Sequence, residues 1–246
     1  VPPVSAGHAR SADATDMFVR MLATASVVGL LLIPIRAKTV GFLLGTTLAA
    51  WREQLPIALM SACYDVLFVA ATFLVFAAML VAPARRWIEP LTVYRTHLAF
   101  SVITLLDGLS NIPVVPWLGP PFNFQWLYYS DFLRSPDAIS SILATVPLWK
   151  MGVALLGAAL FVAVVMRLGS WTARLLRTPR LRWGAVASVV LATTVYLGVS
   201  FRWRHQAGWS QDILANPVWA FAESCLRAFR TPPLLIIETP YGADTF

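Results

Sequence analysis

Charged residues are scarce in this chain. Asp, Glu, Lys and Arg make up 13% of its 246 residues, and only 12 of them are acidic. A soluble domain of this length carries about twice that share of charged side chains. Hydrophobic residues contribute 58% of the chain, and its mean hydropathy is +0.69. The scarcity of charge excludes an ordinary water-soluble domain and indicates an integral membrane protein.

Cysteine and histidine are also rare. The two cysteines, Cys63 and Cys225, form no disulfide framework. The three histidines lack metal-ligand spacing. No Gly-rich phosphate loop, nucleophile elbow or zinc-binding helix motif occurs in the sequence. We therefore predict no metal, no cofactor and no catalytic set of residues in this chain.

Apolar runs occur in place of polar surface, at residues 17–35, 55–82, 96–115, 140–166 and 183–201. A helix crosses a bilayer with about 20 mostly apolar residues, and the dry bilayer core requires a helix because backbone groups must pair internally. The sequence predicts an all-α polytopic membrane protein with about five transmembrane helices and additional interfacial amphipathic helices. Its predicted parts are a flexible tail (1–16), a transmembrane domain (17–201) and an extracytoplasmic juxtamembrane segment (202–246).

Basic residues between the apolar runs set the predicted orientation. The segment 167–182 contains five arginines and no acid, and the segment 84–95 contains three arginines and Glu89. Cytoplasmic loops are rich in Lys and Arg, so both segments predict a cytoplasmic N-terminus and an extracytoplasmic C-terminus in the cytoplasmic (inner) membrane of a bacterium. The segment 36–54 disagrees, because Arg36, Lys38 and Arg52 would then face outward. The net charge of +7 fits anionic lipids better than nucleic acid, so we predict membrane lipids as partners and no nucleic acid.

Ionisable residues inside predicted spans are costly without a partner or a task. Three occur: Asp65 in the second run, Asp107 in the third and Lys150 in the fourth. At about 1.5 Å per residue each lies roughly 12–15 Å deep, so we predict one polar cluster, joined by Asn111 one turn from Asp107. Three interpretations stay open: an ion pair that locks the bundle, a polar pocket open to the outer leaflet, or a proton or ion path.

The predicted outward connector, residues 116–137, is rich in aromatic side chains. Aromatic residues concentrate at the headgroup level of membranes, so we expect this connector to lie on the outer leaflet. It is either an interfacial anchor or a surface for a lipid headgroup, a lipid-linked substrate or a partner. The candidate residues of that surface are Trp117, Asn123, Gln125, Trp126, Tyr128, Tyr129, Asp131 and Arg134.

The tail contains a predicted surface helix. Asn216 is a favourable N-cap, and Pro217 suits the first helical position. Apolar residues then recur at helical spacing, while Glu223 and Arg227 form an i,i+4 pair on another face. This pattern is typical of an amphipathic helix on a membrane surface.

Several stretches together resemble one known family. They are Tyr64-Asp65-Val66-Leu67-Phe68, Arg85-Arg86, Leu106-Asp107-Gly108, the run from Phe124 to Phe132, and Ala215-Asn216-Pro217-Val218 with Ser224. Across residues 55–230 they resemble the N-terminal membrane region of sulfatase-fold membrane transferases, of the lipoteichoic acid synthase and phosphoglycerol transferase type. The resemblance implies five spans, a cytoplasmic N-terminus and an amphipathic helix leading to an extracytoplasmic catalytic domain. That domain would follow residue 246, so no catalytic or metal-binding residue is carried over.

Two functions of different classes follow from the sequence. In the first, the chain is the membrane anchor and lipid-facing module of a transferase that acts on phospholipid headgroups outside the membrane. In the second, it is a non-catalytic integral-membrane subunit of a larger photosynthetic or respiratory complex. A transporter is less favoured, because the sequence has neither an internal repeat nor broken helices at matching positions.

Overall fold

A computed structural model describes residues 5–39, 56, 59–81, 88–118, 148–207 and 216–230. Six helices are formed by these residues: α1 (Ser5–Thr39), α2 (Cys63–Val81), α3 (Pro90–Leu118), α4 (Leu148–Leu175), α5 (Pro179–Ala207) and α6 (Pro217–Arg230). The described ranges contain no strand, so the predicted all-α class is confirmed for them.

The first helix begins earlier than the sequence predicts. Most of the segment predicted as a flexible tail is helical, because α1 starts at Ser5. Four alanines between residues 5 and 16 explain this, since Ala has the highest helix propensity. At its other end α1 continues to Thr39, past Pro34 and beyond the predicted end of the span.

Four described segments are long and apolar enough to cross a membrane: Ala14–Thr39, Cys63–Leu80, Gly152–Leu175 and Pro179–Trp203. They lie in α1, α2, α4 and α5, where four of the predicted spans fall. The remaining predicted span, 96–115, falls in α3, which has 29 residues. Polar residues interrupt the described part of α3, among them His97, Asp107 and Asn111. The described chain therefore has four candidate membrane-spanning helices, compatible with a membrane protein.

Helix α1 is the centre of the bundle, with α2, α3 and α4 packed around it and α5 further out. One buried cluster joins Met21 of α1 to residues of α2, α3 and α4, among them Leu80, Leu98 and Val165. A second cluster nearer the end of α1 joins Val28 and Leu32 to Val69 and Leu105. Packing of these side chains fixes α2, α3 and α4 against α1, and so sets which residues meet at each end of the bundle.

The two ends of the bundle carry different polar residues. At one end, named here the Arg36 end, the last turn of α1 lies beside the first turn of α2. At the other, named the Arg20 end, the early part of α1 lies beside the hairpin between α4 and α5. Large apolar side chains of α4 and α5 face outward between these ends; Leu156 is 71% exposed and Leu191 is 65% exposed. Those faces suit contact with lipid or with another membrane protein.

Candidate functional site

A buried ion pair forms the centre of the Arg36 end. Arg36 Nε donates to Asp65 Oδ2 at 2.7 Å, and Arg36 Nη2 donates to Asp65 Oδ1 at 2.8 Å. The two side chains are only 3% and 2% exposed. Arg36 lies in the last turn of α1 and Asp65 in the first turn of α2, so each charge is also stabilised by the dipole of its own helix. Planar, two-bond pairing of this kind is the strongest form of an Arg–carboxylate contact.

This pairing changes the interpretation of Arg36. The sequence predicts Arg36 in an outward loop, where it contradicts the predicted orientation. In the structure it is part of α1, because the helix extends to Thr39. Leu32, Arg36 and Thr39 recur at helical spacing and line the same small cavity. A paired, buried arginine says little about which side of the membrane it faces. Arg36 therefore no longer counts against the predicted orientation.

Asn216 ties the last helix to this ion pair. Its Nδ2 donates to Asp65 Oδ1 at 2.8 Å, while its Oδ1 accepts a hydrogen bond from the backbone N of Trp219 at 3.1 Å. Asn216 is 3% exposed. The same side chain thus caps α6 and binds the carboxylate of α2. The predicted start of the amphipathic helix at Asn216–Pro217 is confirmed, and so is the Glu223–Arg227 pair, at 2.6 Å.

Asp107 and Asn111 lie on α3 at the same end of the bundle. Asn111 Nδ2 donates to the Asp107 backbone O at 2.8 Å and reaches Asp107 Oδ1 at 3.5 Å. The small cavity beside the ion pair is lined by residues of four helices, namely Leu32, Ile35, Arg36, Thr39, Asp65, Gly108, Asn111 and Pro217. The structure therefore places Asp65 and Asn111 around one cavity, and Asp107 is the residue next to Gly108 on its wall.

Gly108 permits this close approach of α3 to α1. A Cβ atom at Gly108 would lie 3.3 Å from Leu32 Cδ2 and 3.4 Å from Ile35 Cγ2. Those distances are tighter than ordinary contact, so even an alanine requires the neighbouring side chains to move. The Leu106-Asp107-Gly108 stretch thus combines a carboxylate with a close helix contact.

Several predicted site residues lie outside what the structure describes. The backbone of Lys150 belongs to α4 and that of Trp117 to α3, but their side chains are not among the described ones. The other candidates of the aromatic surface lie outside the described residues altogether: Asn123, Gln125, Trp126, Tyr128, Tyr129, Asp131 and Arg134. Membership of Lys150 in the cluster stays a prediction, as does the aromatic surface. Within the described residues, Asp107 Oδ2 is buried and has no hydrogen-bond partner.

The arrangement at the Arg36 end is suited to holding helices together. Both oxygens of Asp65 accept hydrogen bonds, from Arg36 and from Asn216, so the buried charge is compensated within the described residues. No three His, Cys, Asp or Glu side chains in those residues approach closely enough for a metal site. Of the three open interpretations, these contacts favour an ion pair that locks the bundle. Comparison with known protein families, curated proteins and solved structures finds no match to this chain.

Proposed function

We propose that this chain is the membrane-anchoring, lipid-facing module of a phosphoglycerol-transferase-like protein that acts outside the cytoplasmic membrane. The main support for this proposal is the hydrogen bond that Asn216 Nδ2 donates to Asp65 Oδ1, at 2.8 Å. It gives the amphipathic helix α6 a fixed attachment to the end of the bundle. A helix attached in this way holds whatever follows it at a defined place on the membrane surface.

The proposed topology has five spans, with α3 as the third. Helix α3 has 29 residues, which at about 1.5 Å each is roughly 43 Å and longer than a bilayer core. The N-terminus is cytoplasmic, the Arg20 end faces the cytoplasm and the Arg36 end faces outward. Support comes from the arginines of the α4–α5 hairpin, which lie at the Arg20 end.

The proposed topology is tested by labelling single-cysteine variants of the full chain in sealed spheroplasts with a membrane-impermeant maleimide. Thr178→Cys in the α4–α5 hairpin should stay unlabelled until the membrane is opened, and native Cys225 of α6 should react from outside. Cys63 is buried and is replaced by Ala in both variants, and Cys225 is also replaced by Ala in the Thr178→Cys variant. Labelling of residue 178 from outside would contradict the orientation.

The transferase function is tested by purifying the protein from its native membrane. We expect a chain well above 27.0 kDa, with no stoichiometric membrane partner and with phosphoglycerol transfer from phosphatidylglycerol to an acceptor. A chain of 27.0 kDa in a stoichiometric complex would contradict this function.

The second candidate function is that of a non-catalytic subunit of a larger membrane complex. The outward apolar faces of α4 and α5 favour it, because Trp171, Trp183 and Leu191 are each more than half exposed and suit packing against partner helices. Purification in mild detergent separates the two functions, since a subunit keeps its partners through size-exclusion chromatography and an anchor surrounded by lipid does not.

A further inference from the structure

The Arg20 end contains a second polar site, independent of the proposed function. A cleft of about 580 Å³ opens between the early part of α1 and the α4–α5 hairpin. Its volume falls within the range of small-ligand sites, roughly 300–1,000 Å³. Among the described residues, its charged lining comprises one aspartate and four arginines: Asp16, Arg20, Arg174, Arg177 and Arg182.

Among the described residues of this cleft, positive charges outnumber negative ones. Arg20 Nε donates to Asp16 Oδ2 at 2.8 Å, which neutralises one arginine. Among the described residues, Arg182 Nη2 donates to the Arg177 backbone O at 3.3 Å, and Arg182 Nε is buried without a hydrogen-bond partner. The first turn of α5 also contains no acid, although a helix N-terminus attracts negative charge. The cleft is therefore suited to an anion.

The walls of the cleft are held by close packing. A Cβ atom at Gly169 of α4 would lie 3.3 Å from Arg20 Cγ and 3.5 Å from Arg20 Cα of α1. The two helices therefore approach through the glycine, one residue before the cleft-lining Ser170. This close approach fixes the backbones of α1 and α4 relative to each other beside the cleft.

The position of the cleft indicates where the anion comes from. It lies where the candidate membrane span Gly152–Leu175 ends and the candidate span Pro179–Trp203 begins. Trp171 and Trp183 flank the hairpin and are 57% and 70% exposed, and tryptophan concentrates at the headgroup level of a bilayer. Arginine recognises phosphate oxygens through paired N–H donors. An anion with acyl chains fits both the arginines and the apolar surface beside them.

We propose that this cleft binds the phosphate group of an anionic phospholipid, with Arg174, Arg177 and Arg182 as its ligands. The preference for basic residues on the cytoplasmic side also explains arginines in this segment, but every arginine contributes equally to that preference. A binding site in the cleft, by contrast, depends on the arginines that line the cleft and not on the others. Arg167 and Arg180 are exposed and do not line the cleft, so they provide a matched control of equal charge.

The test measures lipid binding to the full chain in detergent by native mass spectrometry, with dioleoyl phosphatidylglycerol and dioleoyl phosphatidylcholine as probes. We expect the wild-type protein to bind phosphatidylglycerol at least about tenfold more tightly than phosphatidylcholine. The double variant Arg174→Gln/Arg177→Gln should lose that preference. The double variant Arg167→Gln/Arg180→Gln removes the same charge and should keep binding within about twofold of wild type.

Three results would overturn the proposal. Equal loss of binding in both double variants, or loss in neither, means that no site exists in the cleft. Glycerol phosphate or inorganic phosphate binding as tightly as phosphatidylglycerol means that the anion is soluble and not a lipid. Thermal unfolding of each variant is measured in parallel, and if the cleft variant does not fold, Arg174→Gln alone is judged by the same criteria.

Discussion

At the Arg36 end, an arginine and a carboxylate are almost fully buried and bind each other at 2.7 Å, whereas at the Arg20 end several arginines line an open cleft against Asp16. Burial makes the difference. A charge without water depends on its partner for several kcal/mol, and a charge in contact with water does not. The buried pair therefore joins α1 to α2 at the Arg36 end, whereas Arg174 and Arg177 at the Arg20 end are exposed and accessible to a ligand.

The largest expected effect is at the buried ion pair. Arg36→Met leaves the Asp65 carboxylate buried with Asn216 as its described partner, and we expect a loss of about 3–5 kcal/mol in the free energy of unfolding. Arg174→Gln, at the open cleft, should change it by no more than about 0.5 kcal/mol. Unfolding in mixed micelles followed by circular dichroism measures both. Equal losses of unfolding free energy in the two variants would contradict the difference between the Arg36 end and the Arg20 end.

Lys150 provides a sharper test of the polar cluster. If its ammonium group pairs with Asp107, Lys150→Met leaves a buried carboxylate oxygen unsatisfied, and we expect a loss of about 1–3 kcal/mol. The loss should be smaller than for Arg36→Met, because Asp65 keeps its own partners. Thermal unfolding compares Lys150→Met with Lys150→Met/Asp107→Leu, which removes both charges. A stable Lys150→Met protein would show that Lys150 lies outside the cluster.

Gly108 tests how closely the helices pack at the Arg36 end. Gly108→Ala places a methyl group 3.3 Å from Leu32 Cδ2, and we expect a loss of about 1–3 kcal/mol from overpacking. Gly157→Ala is the matched control, because a Cβ atom there meets nothing within 4 Å. That variant should be neutral or gain up to about 1 kcal/mol. Thermal unfolding of both variants distinguishes crowding from a general effect of removing glycine.

The smallest of these effects is at α6. Asn216→Ala removes the helix cap and a hydrogen bond to Asp65, and we expect a local loss of about 1–2 kcal/mol. The labelling rate of the half-buried Cys225 by a maleimide should rise by about tenfold or more. Glu223→Gln, which breaks an exposed pair on the same helix, should leave the rate nearly unchanged. An unchanged rate in Asn216→Ala would mean that the cap does not hold α6.

The sequence was sufficient to predict the helices but not which polar side chains pair with one another. Apolar runs placed α1, α2, α4 and α5, and the Asn216–Pro217 cap placed α6, because these are local properties of the chain. The partner of Asp65 depends on how far α1 extends, which decides whether Arg36 is in a loop or on a helix face. Lys150 was predicted as a member of the polar cluster only from its expected depth in the membrane. The second hydrogen bond of Asn216 joins residues 151 apart in sequence, and no local pattern predicts such a contact.

A double-mutant cycle between Arg36 and Asp65 tests the central claim most directly. The single variants are Arg36→Met and Asp65→Leu, and the free energy of unfolding in mixed micelles is measured for each and for the double variant. If the pair locks the bundle, the double variant should be more stable than the sum of the single losses by at least about 2 kcal/mol, because both charges leave together. Losses that add within about 0.5 kcal/mol would contradict the account, since they would show that the two side chains contribute independently.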